Sequence, residues 1–91
     1  MPSLDAINSL QLRINQCGHV FLDDRWKLTD MAMPYSKLYY IRSGSGYILA
    51  EGQRISLEPG FVYLTPAGTR VSCGCTALEK IYFHILLGYM A

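Results

Sequence analysis

Residues 58–71 place the firmest constraint on the fold, because two turn signals enclose a short run of strand-forming residues. Pro59-Gly60 and Pro66-Ala67-Gly68 predict turns, since proline presets φ at the start of a turn and glycine accepts positive φ. Residues 61–65 between them carry the β-branched and aromatic side chains that suit a half-buried strand. The segment therefore predicts a turn, a strand, a second turn and the start of another strand.

Similar short segments make up the rest of the chain. Residues 10–15 alternate apolar and polar side chains, which is the two-residue period of a strand with one solvated face. Residues 37–42 and 79–87 predict two further strands, rich in tyrosine and isoleucine. Because turn signals recur at short intervals, the sequence predicts an all-β sandwich or barrel of about eight or nine short antiparallel strands.

Several turns are predicted from dipeptides or short polar runs. Ser43-Gly44-Ser45-Gly46 predicts a tight turn between two strands, and Glu51-Gly52 predicts the next one. Asp23-Asp24 predicts a hairpin turn, although it lacks the glycine of the strongest hairpin signals. Residues 74–77 are predicted as a loop before the last strand.

Length and charge limit the functional classes. The chain has 91 residues and is 51% hydrophobic, which is enough for one small domain with a modest core. Eight basic residues against seven acidic ones do not give the basic excess of a stand-alone nucleic-acid-binding domain. The sequence shows neither a signal peptide nor an apolar run of about 18 residues, so we expect a cytoplasmic protein.

The domain organisation expected from the sequence is simple. Residues 1–8 are predicted as an N-terminal arm, and residues 9–91 as one domain. The sequence ends just after the last predicted strand without a helix to cover the sheet. This favours a fragment of a longer protein.

Three cysteines allow two interpretations. Cys73 and Cys75 lie two positions apart, so on a strand both thiols would face one side, as two metal ligands need. No second Cys/His pair completes a zinc site. The favoured interpretation is therefore free, partly buried thiols in a reducing compartment.

Two sets of motifs carry a resemblance to known proteins. Gly60, Pro66-Ala67-Gly68 and Val71, in that spacing, resemble the second conserved motif of the cupin superfamily of small double-stranded β-helix barrels. An ordered series of further segments resembles the N-terminal regulatory domain of the AraC family of bacterial transcription regulators: Tyr39-Tyr40-Ile41-Arg42-Ser43-Gly44-Ser45-Gly46-Tyr47-Ile48, Leu57-Glu58-Pro59-Gly60 and Ile81-Tyr82-Phe83-His84.

The resemblance implies both a fold and a function. The fold would be a cupin-type jelly-roll barrel that binds a small effector such as a sugar and forms a homodimer. A C-terminal pair of helix-turn-helix units, absent from this sequence, would bind DNA. Two alternatives stay open: a free-standing small cupin enzyme acting on a sugar or small metabolite with His84 and a tyrosine as acid and base, and a structural domain that binds nothing.

The resemblance also bears on metal binding. Many cupin enzymes hold a divalent metal with two histidines and a glutamate from a first motif and a histidine from the second. The second-motif histidine falls on Val71 and the glutamate on Lys37. The remaining two positions fall on Met31 and Met33, or on Asp30 and Ala32. We therefore expect no metal or other cofactor and no catalysis.

Six residues are candidates for effector binding, on the parity of their strands and on the resemblance: Trp26, Tyr39, Val71, Cys73, Tyr82 and His84. Trp26 would offer an aromatic face to a sugar ring, or would anchor the core. His84 would face the pocket from the last strand, or would be a buried imidazole satisfied by a neighbour. Tyr39 and Tyr82 would add hydroxyl groups to the same cavity.

Overall fold

The computed structural model describes the backbone of residues 10–89 and the side chains of residues 13–86; the predicted N-terminal arm lies outside this range. The described chain forms six strands, all paired antiparallel. They are β1 (Leu10–Asp23), β2 (Lys27–Met31), β3 (Ser36–Ala50), β4 (Gln53–Leu57), β5 (Val62–Thr65) and β6 (Val71–Tyr89). The predicted all-β class is confirmed, and fewer, longer strands replace the eight or nine short ones.

β6 and β3 form the centre of the sheet. β1 and then β2 run along one side of β6, and β3 pairs with its other side. β4 and β5 pair with two successive parts of the far edge of β3. Register shifts in the β3–β6 ladder, between Ile41 and Ser43 and between Ser45 and Gly46, mark β-bulges that let these long strands bend.

The predicted turn at Ser43-Gly44-Ser45-Gly46 is wrong, because β3 continues through it. Gly44 has a φ of +86° within the bulged region, and a Cβ there would lie 2.2 Å from the carbonyl oxygen of Ala77. The glycine thus permits close approach to β6 instead of a chain reversal. Residues 74–77, predicted as a loop, belong to β6, where they pair with β3.

The predicted hairpin at Asp23-Asp24 is also wrong, because the chain does not reverse its direction there. A turn does form, closed by the Trp26 amide donating to the Asp23 carbonyl at 3.0 Å. The chain then continues the same way along β6, since Asp23 pairs with Ala77 and Lys27 with Gly74. β1 and β2 are therefore two parts of one edge.

The predicted turns on either side of β5 are present. Gly60 and Gly68 have φ values of +86° and +82°, and β5 lies between them. Glu51 and Gly52 both have positive φ, 51° and 77°, as a two-residue hairpin between β3 and β4 requires. At these positions local turn chemistry was sufficient to predict the structure.

The core is one cluster of buried side chains from β3, β4 and β6. Its buried apolar members are Tyr39, Ile41, Ile48, Leu57, Val71, Cys73 and Leu78. All three cysteines are free thiols, as expected, with Cys17 exposed and Cys73 buried. Residues 10–89 contain no helix long and apolar enough to span a bilayer.

Two glycines test the role of the bulge. Gly44→Ala should destabilise the fold by about 3 kcal/mol or more, because positive φ and a backbone clash act together. Gly52→Ala is the control: its φ is also positive, but a Cβ there meets nothing within 4 Å, so we expect about 1 kcal/mol. Urea unfolding measures both changes. Equal losses for the two variants would contradict the bulge account.

Candidate functional site

The inner face of the β3–β6 pair carries three rows of side chains. Lys37 lies opposite His84, Tyr39 opposite Tyr82, and Ile41 opposite Lys80. Because side chains alternate along a strand, residues 37, 39 and 41 share one face with residues 80, 82 and 84. Two of the chain's three lysines thus point into the domain.

A cavity of about 240 Å³ lies against these rows. Its apolar wall comes from Val20, Leu22, Leu28 and Met33. Its aromatic side chains are Trp26, Tyr35, Tyr39 and Tyr82. Its ionisable nitrogens are those of Lys37, Lys80 and His84. The volume lies below the roughly 300–1,000 Å³ of sites for drug-sized ligands, so it suits a small metabolite.

Lys80 occupies an aromatic corner of the cavity. The residue is only 4% exposed, and its Nζ lies 3.5 Å from the ring centroid of Tyr39 and 4.1 Å from that of Trp26. The two rings meet edge to face, with centroids 6.3 Å apart. Burial lowers the pKa of the Lys80 amine to about 8, because the charged form loses more hydration than the rings return.

Lys37 is the second buried cation, with 5% exposure. Burial lowers the pKa of its amine as well, and its charge in turn helps to lower the pKa of Lys80. Within residues 13–86, neither lysine forms an ion pair, and no carboxylate contributes to either pKa shift. A pair of buried cations without an anion is electrostatically unfavourable and favours an anionic ligand.

An aromatic–imidazole stack forms the far end of the cavity. The His84 ring stacks on Tyr35 with centroids 4.4 Å apart and lies 5.1 Å from the Tyr82 ring. Burial and the positive charges of Lys37 and Lys80 lower the pKa of His84, so the imidazole is neutral near pH 7.

Gly18 gives Tyr82 its position. A Cβ at residue 18 would lie 2.8 Å from Cε1 and 2.9 Å from the hydroxyl oxygen of Tyr82. The ring therefore lies over β1 at a place where a larger residue would displace it. Gln16 Nε2 donates to the hydroxyl oxygen at 3.4 Å.

Four of the six candidate effector residues line the cavity: Trp26, Tyr39, Tyr82 and His84. Trp26 is half-buried; it packs against the core and also lines the cavity, so it is placed both to anchor the core and to offer an aromatic face to a ligand. Val71 and Cys73 are 3% and 2% exposed and belong to the core instead of the cavity wall. A role in binding stays a prediction for all six.

The two lysines and Tyr35 were not among the candidates. The signal for the lysines was present in the sequence, because Lys37 shares the parity of Tyr39 and Lys80 that of Tyr82 and His84. A charged residue in phase with the buried face of an apolar strand marks a site. Tyr35 precedes β3, and only the tertiary structure brings it onto His84.

The cavity does not fit the divalent metal of cupin enzymes. Its wall offers one imidazole, two amines and no carboxylate, and Lys37 occupies the position aligned with the glutamate ligand. Ammonium groups repel a metal cation instead of coordinating it. Across the part of the chain that the structure describes, no three His, Cys, Asp or Glu residues gather in a group that could hold a metal ion.

Solved structures identify the architecture. A cupin superfamily protein from Desulfitobacterium hafniense superposes with a TM-score of 0.65 at 18% identity, over 81% of this chain and 81% of that one. The fold is a cupin fold. The EutQ protein of Clostridium difficile gives a TM-score of 0.65 at 16% identity, over 82% of this chain and 66% of its own.

An enzyme shares this architecture. The DMSP lyase DddQ from Ruegeria pomeroyi gives a TM-score of 0.63 at 14% identity, over 91% of this chain and 50% of its own. The chain thus spans about two thirds of EutQ and half of DddQ. Neither a protein-family model nor a curated protein sequence matches it. At sequence identities of 14–18%, the structural similarity identifies only the fold.

The expected membership of the AraC family is wrong. The similar structures named above are free-standing cupin proteins and not regulator domains. The motifs misled because turn spacing is set by the barrel, which regulators and other cupins share. Transcription regulation and sugar sensing lose their support, while the expected contacts with DNA through a further domain are not tested. Since a lyase has this fold, the expected lack of catalysis has no support either.

Because the Lys80 amine is buried, we expect its removal to raise the free energy of unfolding by an amount that depends on pH. Lys80→Met should stabilise the fold near pH 7 by up to about 3 kcal/mol, the energy equivalent of lowering the pKa from 10.5 to about 8. Between pH 8 and 10.5 the unfolded chain binds the extra proton, so wild-type stability rises relative to the variant. Urea unfolding at several pH values measures the difference.

The control is Lys27→Met, since Lys27 lies exposed on β2. Its stability difference from wild type should stay small and flat over the same pH range. A Lys80→Met variant that is less stable than wild type at pH 7, or a gap that widens as pH rises, would contradict the account of burial.

Proposed function

We propose that the protein binds a small carboxylate metabolite in the cavity, with Lys37 facing the carboxylate, Lys80 within the same cavity and the aromatic wall covering the carbon skeleton. The observation that carries the proposal is the pair of buried lysines, 5% and 4% exposed, without an ion-pair partner among the described residues. An entering carboxylate would replace the hydration that the Lys37 ammonium group loses on folding.

The rest of the wall supports the same ligand class. Its apolar and aromatic side chains can cover a short carbon chain, which a highly hydroxylated sugar would not offer. Both lysine side chains line the cavity, where a ligand would contact them. A carboxylate held beside Lys37 would raise the pKa of that lysine and keep it charged.

Catalysis is a second candidate function. His84 has a lowered pKa and lies 5.1 Å from the Tyr82 ring, so a neutral imidazole and a phenol face the same ligand. Such a pair can move a proton on a bound substrate. The lyase with this fold shows that the architecture can house an enzyme.

Titration with propionate and with a neutral sugar of similar size tests the binding proposal, followed by shifts of the NMR signals of cavity residues. Propionate should bind, and Lys37→Met should weaken it by about tenfold or more, as expected for loss of a charge-assisted contact. Lys27→Met, which removes an exposed lysine, should leave the affinity unchanged. Tighter binding of the neutral sugar, or equal affinity in Lys37→Met, would overturn the proposal.

A further inference from the structure

We infer that Lys80 forms a Schiff base with the carbonyl carbon of a short oxo acid, a carboxylic acid that carries a ketone or aldehyde one or two carbons away. The inference rests on the proposed function, because the carboxylate must be held in the cavity for the carbonyl group to reach the amine. It also names the substrate class for that site.

Geometry holds the Lys80 amine in one place. The side chain leaves β6 opposite Ile41 and lies against the Tyr39 ring, with Nζ 3.5 Å from its centroid, while Trp26 closes the second side at 4.1 Å. A buried lysine that is 4% exposed loses most of its rotamers before a ligand arrives. Such an amine presents its nitrogen to the cavity at little further entropic cost.

Lys37 lies at the right spacing to hold the carboxylate. It is one row beyond Tyr39 on β3, and successive rows on one strand face are about 7 Å apart. An amine above Tyr39 and an ammonium group one row away can therefore contact the two ends of a ligand only a few atoms long. This spacing favours an oxo acid whose two functional groups are close together.

The surroundings of Lys80 favour its neutral, nucleophilic form. The titratable groups near it are Lys37 and Tyr39 from β3 and Cys73, Cys75 and His84 from β6, with no carboxylate among the contributions to its pKa. Burial and the neighbouring Lys37 charge lower the pKa of Lys80 to about 8. A lysine becomes a nucleophile in this way when it is desolvated beside another cation.

The cavity also supplies proton donors and acceptors for each step. The neutral amine attacks the carbonyl carbon; the C–N bond forms as the C=O π pair moves to oxygen, and a proton passes from nitrogen to that oxygen to give a carbinolamine. A second proton then converts the hydroxyl into water, which leaves with the C–O bond pair as the nitrogen lone pair forms the C=N bond of a protonated imine. Burial raises the pKa of Tyr39, so its phenol stays protonated beside the amine, and the neutral His84 imidazole in the same cavity would exchange protons with the ligand through water.

Reductive trapping tests the inference on the full chain. Protein is incubated with pyruvate and borohydride at about pH 8, and the modified residue is located by peptide mass mapping. Near this pH about half of Lys80 is neutral, against about 0.4% of an ordinary lysine. We therefore expect one reduced adduct, on Lys80, at about a hundredfold preference over the exposed Lys27. The α-amino group is quantified separately in its own peptide.

Three variants give the controls. Lys80→Arg keeps the positive charge but removes the nucleophilic amine, so it should abolish the adduct. Because it conserves the charge, loss of the adduct in this variant is attributed to the missing amine and not to a change of charge in the core. Lys37→Met keeps the nucleophile, so the adduct should remain on Lys80 but need about tenfold more pyruvate. Lys27→Met should trap as wild type does.

The outcomes separate the two proposals. Propionate binding that depends on Lys37, without a pyruvate adduct on Lys80, would overturn the Schiff base and leave the binding function intact. An adduct on Lys37, or an adduct that persists elsewhere in Lys80→Arg, would overturn it equally. Failure of both propionate binding and trapping would overturn the proposed function itself.

Discussion

Pairing between β3 and β6 organises the rest of the molecule. The ladder runs from Ser36 opposite Ile85 to Ala50 opposite Val71, and its bulges let both strands bend around the core. Every other strand is attached to one of these two. Because side chains alternate, a slip of one residue in either strand would move its lysine to the outer face and remove the site.

The cavity is electrostatically costly in the absence of a ligand. Two lysines are buried against aromatic rings, and the attraction of the rings for a cation does not offset the loss of water and the mutual repulsion of the charges. Perturbed ionisable groups in a cavity commonly mark function. Binding and covalent capture of an oxo acid are two ways in which a ligand would relieve this cost.

Local rules predicted some elements and failed at others for physical reasons. Glu51-Gly52 and the turns around β5 formed as predicted, because their glycines have positive φ and no neighbouring chain competes for them. Ser43-Gly44-Ser45-Gly46 has similar turn chemistry, yet Gly44 lies against the Ala77 carbonyl and the strand continues. The sequence alone does not reveal that β6 pairs with β3 at Gly44, so a bulge and a turn have the same sequence pattern.

The sequence by itself determined the all-β class, the turns around β5 and the inward parity of Tyr39, Tyr82 and His84, because these depend on residues close together along the chain. Only the tertiary structure decided that the two lysines share one cavity with Trp26 and Tyr35, while Val71 and Cys73 lie in the core. That outcome depends on the register between strands far apart in sequence. Long-range pairing sets which inward-facing residues meet, and no local pattern carries that information.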